Sequence, residues 1–170
     1  MIPVNLMDAL AERLEKVLKD YSAEKPPEGY PVALVFGRKP LKIHPGQIPV
    51  PESADEIESF VYVIVKKIED KNDSSSATVE IGVSLYDEDW TGWRNMYNIV
   101  EHIRQELLKH RILNKKFMLQ WPIETDFADE QPYPQWVGAV TAKYSIGQPV
   151  EEGIAYDNYQ EIGFQRNRQK

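Results

Sequence analysis

The chain has 170 residues, enough for one domain or for one domain with an extended arm. Its 42% hydrophobic and 28% charged content is that of a soluble globular protein. The absence of cysteine excludes disulfides and thiolate metal sites and fits a reducing cytosol. A net charge of −7 argues against wrapping nucleic acid by phosphate neutralisation. No apolar run approaches the roughly 20 residues that span a bilayer, and the start Met1-Ile-Pro-Val-Asn lacks the features of a signal peptide.

Leu6, Leu10, Leu14, Val17, Leu18 and Tyr21 recur at three- and four-residue steps, with Glu12, Arg13, Glu15, Lys16 and Lys19 on the other face. This spacing predicts an amphipathic helix from about Asn5 to about Asp20, with Asn5 as N-cap. Pro26 and Pro27 end it. Tyr30 to Phe36 reads as a short strand. The stretch 37–59 carries Pro40, Pro45, Pro49 and Pro51 and is expected as a long proline-rich loop, incompatible with a central strand or a long helix. Within it, Ser53-Ala-Asp-Glu56 resembles a capping box for a turn or two of helix.

Phe60–Ile68, rich in Val, Ile and Tyr, and Ala77–Tyr86, which alternates, read as strands, with Val79, Ile81, Val83 and Leu85 on one face of the second. The polar run between them, Glu69 to Ser76, predicts an antiparallel hairpin with a solvated tip. Asp87-Glu-Asp89 precedes a second helix and suits its positive N-terminal dipole. The helix stripe is read as Trp93, Met96, Val100, Ile103 and Leu107, and Lys109-His-Arg111 closes it. Phe117, Leu119 and Trp121 form a strand ended by Pro122. Trp136–Ser145 forms the last strand, with Val137, Ala139 and Thr141 opposite Trp136, Val140, Ala142 and Tyr144.

The order predicts an α+β fold: a mixed or antiparallel β-sheet with two main helices packed on one face, spanning 1–149 as a single domain. Residues 150–170 form an extended C-terminal arm. Its scattered Ile154, Tyr156, Tyr159, Ile162 and Phe164 admit two readings, a frayed terminus or an arm that docks on a neighbouring subunit.

Chemistry is hard to place. His102 and His110 lie eight residues apart, about 80° around a helix, so they do not form a tight ligand pair. No His-Glu-x-x-His pattern or nucleophile elbow is present, and no metal or cofactor is expected. An enzyme or small-molecule binder would have to bring His44 toward Asp87–Asp89 or Glu124–Asp126 in one concave site. Of the four tryptophans, Trp93 and Trp121 are expected in the core. Trp90, among acids, or Trp136, beside Pro132-Tyr133-Pro134, is expected at a subunit contact. Arg38, Lys39 and Lys42 in the loop, with Arg166 and Arg168 in the arm, are expected to contact an acidic neighbour. Tyr133, Tyr156, Tyr159 and Phe164 join them as candidate interface residues.

Three segments together carry a resemblance: Tyr86-Asp-Glu-Asp-Trp-Thr-Gly-Trp93, the helix Asn98-Ile-Val-Glu-His-Ile-Arg-Gln-Glu-Leu-Leu108, and Glu130-Gln-Pro-Tyr-Pro-Gln-Trp-Val-Gly138. Over about Phe60 to Ser145 the chain resembles the tail terminator and tail-completion proteins of tailed phages and prophages. The loop 37–59 and the tail after Val150 lie outside the matched part. The resemblance implies a non-enzymatic virion structural subunit. Such a subunit assembles with itself as a ring, commonly a hexamer, at the head-proximal end of the tail tube. Its implied partners are the tail tube protein and the head connector or neck protein, with DNA passing through the lumen without specific binding and no membrane involved. Its implied place is the virion tail, assembled in host cytoplasm. A neck or head-completion protein and a component of a tail-like secretion system are the nearest alternatives.

Overall fold

The structure, a computed structural model, describes residues 2–23, 41–46 and 59–149. Its elements in chain order are α1 (Ile2–Ala23), β1 (Lys42–Pro45), β2 (Phe60–Asp70), β3 (Ser75–Tyr86), α2 (Gly92–Lys109), β4 (Ile112–Leu113), β5 (Phe117–Phe127) and β6 (Gln135–Ile146). The strands form one mixed six-stranded sheet in the order β1-β2-β3-β6-β5-β4. Only β1 and β2 pair in parallel; the other neighbours are antiparallel. The α+β architecture expected from the periodicities is therefore present, with both helices joined to one face of the sheet through a single core cluster.

Alternation along the strands selects that face. Val61 and Val63 of β2, Val79, Ile81, Val83 and Leu85 of β3, and Trp136, Val140, Ala142 and Tyr144 of β6 are all buried. Register aligns them in rows, as in Val63↔Ile81 and Ile81↔Val140. Leu6, Leu10, Leu14 and Leu18 put one leucine per turn of α1 into this core. Each contributes about 1.5–3 kcal/mol by burial. An Arg13–Glu106 ion pair also links α1 to α2, but with side-chain exposures of 35% and 14% its worth is about 1 kcal/mol or less. The leucine stripe, not the ion pair, holds α1 in place.

Several boundaries differ from the sequence reading. Helix α1 starts at Ile2, so Asn5 is an exposed helical residue and not an N-cap. The proline-rich stretch contributes β1 as an edge strand, where Pro45, its last residue, leaves no ladder bond unmade on an inner strand. The β2–β3 hairpin extends further than expected, to Asp70 and from Ser75, and closes with a Lys71 N–H to Ser74 carbonyl bond. The Ser75 and Ser76 side chains assigned to a solvated tip are buried, and Ser75 donates to Asp70 at 2.5 Å. Strand β5 does not end at Pro122. Its pairing with β6 jumps from Gln120↔Lys143 to Ile123↔Ala142, so Trp121 and Pro122 drop out of the ladder and the missing proline N–H is never required. The short strand β4 was not anticipated.

The expected strand at 30–36, the capping box at 53–56 and the arm 150–170 lie outside the described residues.

Candidate assembly surface

Two loops meet at the N-terminal end of α2. One, Asp87–Thr91, leads from β3 into the helix; the other, Ala128–Pro134, joins β5 to β6. Backbone and side chains lace them together. Asp87 N–H donates to the Pro134 carbonyl at 3.0 Å, Trp136 Nε1 donates to the Asp87 carbonyl at 3.0 Å, and the Tyr133 hydroxyl donates to the Glu88 carbonyl at 2.9 Å. Gln131 braces the second loop from within. Its Oε1 accepts from Val137 N–H at 2.6 Å, and its Nε2 donates to the Ala128 and Val137 carbonyls at 3.0 Å. The acids before α2 shape its approach and do not cap it directly. Asp87 accepts from Asp89 N–H and from Asn95 Nδ2, Asp89 accepts from Thr91 N–H, and the N-cap residue Thr91 makes no side-chain capping bond.

Aromatic side chains stand on this braced end. The Trp90 and Tyr133 rings stack at 4.7 Å with an 8° interplanar angle, and Tyr133 meets Trp136 edge to face at 6.1 Å. Trp93 meets Tyr97 edge to face, and Tyr97 stacks on Phe127. Trp90 is 72% exposed, Trp93 41%, Tyr97 42% and Tyr133 46%. Together these four leave roughly 400 Å² of aromatic surface in solvent at about 200 Å² per ring side chain. That is the size of the largest apolar patch on a typical monomer, which is often functional. The segments that build this end, 86–97 and 124–136, hold seven carboxylates and one cation, Arg94, whose guanidinium lies over Trp93.

Trp90 and Tyr133 thus present their rings to solvent. Trp136 does not: it is 5% exposed, packed in the core, with its indole against Gly92 so closely that a Cβ there would overlap Nε1. Trp93 and Trp121 are corrected the other way, from core to surface. Trp93 lies in the first turn of α2, about 65° from the middle of the buried stripe Met96, Ile99, Val100, Ile103, Leu107. Trp121 is 63% exposed because the β5 bulge turns it out of the core face, and the Arg111 guanidinium lies 5.6 Å over its ring. Lys42 is exposed on edge strand β1, whereas Arg38, Lys39, Tyr156, Tyr159, Phe164, Arg166 and Arg168 lie outside the described residues.

Tyr97 and Phe127 were missed by the sequence reading. The available signal was position: Tyr97 falls outside the buried stripe, on the same flank as Trp93.

On the helix-free face the sheet carries a shallow groove of about 460 Å³, lined among others by Phe60, Tyr62, Glu80, Ser84, Asp126 and Ala139. Gly82 allows it: the Tyr62 ring lies across β3 where a Cβ would stand. The Tyr62 hydroxyl donates to Glu80 at 2.8 Å, and burial first, then that bond, pushes its pKa up to about 12. This moves it away from neutrality, the reverse of what acid–base work requires. His44 is not in the groove. The register His44↔Tyr62↔Gly82↔Ala139↔Asp126 sets it four strands from Asp126, about 19 Å along a flat sheet. Asp87 and Asp89 are committed to the loop before α2. The constellation that a His44-based site needs is therefore not assembled. Among the described residues, no group of three or more His, Asp or Glu side chains is placed to hold a metal ion, and no helix is long and apolar enough to cross a membrane.

Comparison of the chain with family models and with curated proteins finds no match.

Proposed function

We propose that this chain is a virion structural subunit, a tail terminator that caps the tail tube as a ring and joins it to the head connector. The resemblance of segments 86–93, 98–108 and 130–138 carries the class. The observation that most supports an assembling role is the braced aromatic surface of Trp90, Trp93, Tyr97 and Tyr133. A surface held by backbone and side-chain bonds loses little entropy on docking, so its apolar area converts efficiently into affinity. The negative balance of the chain also suits a lumen through which DNA must slide without being held.

The test is functional. Purified chain added in small amount to growing cognate tail tubes should arrest elongation and narrow the length distribution. Tubes that grow to the same lengths with and without it would remove the terminator reading and leave the neck-protein alternative.

A further inference from the structure

The acidic aromatic end has a counterpart on the same molecule. At the other end of α2, β4 and the start of β5 expose Ile112 (64%), Met118 (48%) and Trp121 (63%). Ile112 and Met118 are direct cross-strand partners, and Arg111 covers one side of Trp121. The segment 109–118 holds four cations, Lys109, Arg111, Lys115 and Lys116, and no carboxylate. The two ends are therefore both apolar and opposite in charge, seven carboxylates to one cation at one and four cations to none at the other. The 18 residues of α2 set the Asp87–Thr91 loop about 27 Å from β4, and β5 runs between the two ends, with Trp121 three residues from Glu124.

A patch of one sign does not pair with itself across a two-fold axis, because like charges would face each other. Two complementary patches at opposite ends pair head to tail. Such a heterologous contact closes into a ring when its rotation permits and otherwise runs on as a filament. We propose that the Trp90–Tyr133 end of one copy docks on the Ile112–Met118–Trp121 end of the next, and that this contact builds the ring. The assignment rests on the ring reading above and names the surfaces that make it. The apolar part of each end, a few hundred Å², is about half of the roughly 800 Å² per partner in a standard interface, with the charged residues forming the rim. Guanidinium groups already lie over two indole rings within the subunit, Arg94 on Trp93 and Arg111 on Trp121. The same pairing across the contact needs no new chemistry.

Two full-length variants test this. One, Glu88→Lys with Trp90→Ala, disables the acidic end; the other, Lys116→Glu with Trp121→Ala, disables the basic end. All four side chains are exposed, so both variants should keep the wild-type circular dichroism and melt within a few degrees of wild type. Sedimentation velocity at rising concentration and low salt should show wild type associating beyond a dimer, more weakly as salt is raised. Each variant alone should be monomeric. Mixed in equal amounts they retain one good contact between them, and should form a dimer and nothing larger.

Wild type that stays monomeric at millimolar concentration, variants that associate as wild type does, or a mixture that stays monomeric each overturns the pairing. Arg166→Glu with Arg168→Glu is the control. If it abolishes association while the basic-end variant does not, the arm and not the β4–β5 end is the partner, and the pairing is likewise overturned. The expected pattern together with tail tubes that ignore the protein would uphold the contact and sink the terminator reading alone.

Discussion

Trp136 and Trp90 are two tryptophans with opposite roles at one end of the subunit. Trp136 fills the core and ties β6 to the loop before α2 through Nε1. Trp136→Ala should cost about 3–5 kcal/mol in urea unfolding, the range for truncating a buried aromatic. Trp90→Ala removes a side chain that is 72% exposed and stacked, among the described residues, on Tyr133, so its cost should stay near 1 kcal/mol or below. Equal losses for the two would contradict this division. A glycine marks the other close approach. Gly82→Ala should destabilise by about 1–3 kcal/mol, because the new methyl displaces the Tyr62 ring from across β3. Residue type alone does not reveal such differences. Trp121 alternates correctly with Phe117 and Leu119, and only the two-residue register jump against β6 sends it to solvent. Trp136 looked like a contact residue because prolines precede it, yet its place in the β6 alternation already aligned it with Val140 and Tyr144.

At the scale of elements, the apolar alternation of β3 and β6, the Val- and Ile-rich β2 and the apolar stripes at helical spacing were legible because each runs for several turns or strand residues without interruption. Strand β1 was not, because four residues with no alternation become a strand only when β2 lies beside them. Charge also ties strands together. Lys143 of β6 reaches across β3 to Glu69 of β2, with Nζ 2.6 Å from the carboxylate. Hydrogen bonds from Lys143, then Lys67, hold the Glu69 pKa at about 2. The folded-state value lies below the unfolded one, so this contribution is present above pH 4.5 and is lost as the pH falls toward about 2. Glu101, held at about 2 by Arg104 and then Gln105, loses its contribution in the same window. Stability should therefore fall on acidification through that range. Lys143→Met should shallow the fall without abolishing it, as read from urea midpoints at stepped pH. An unchanged slope would show that the Glu69 pairing contributes nothing to folding.

For the whole molecule, the separation of charge along α2 matters more than the net value. The acidic end is built from loops whose composition, Asp87-Glu-Asp89 and Asp129-Glu130, was plain in the sequence. That these loops meet, and that Trp90 and Tyr133 stack on top of them, depends on β3 and β6 being neighbours. The basic end was hidden for the same reason: Ile112 and Met118 become a patch only when β4 folds back on β5.

As the proposed tail terminator, this subunit would close a ring on the end of a tail tube. Electron microscopy of cognate tail tubes incubated with the purified chain tests it most directly. A tail terminator should appear as a ring of rotationally arranged subunits at one end of each tube, leaving the lumen open. Bare tube ends, or protein scattered along the tube walls, would contradict it.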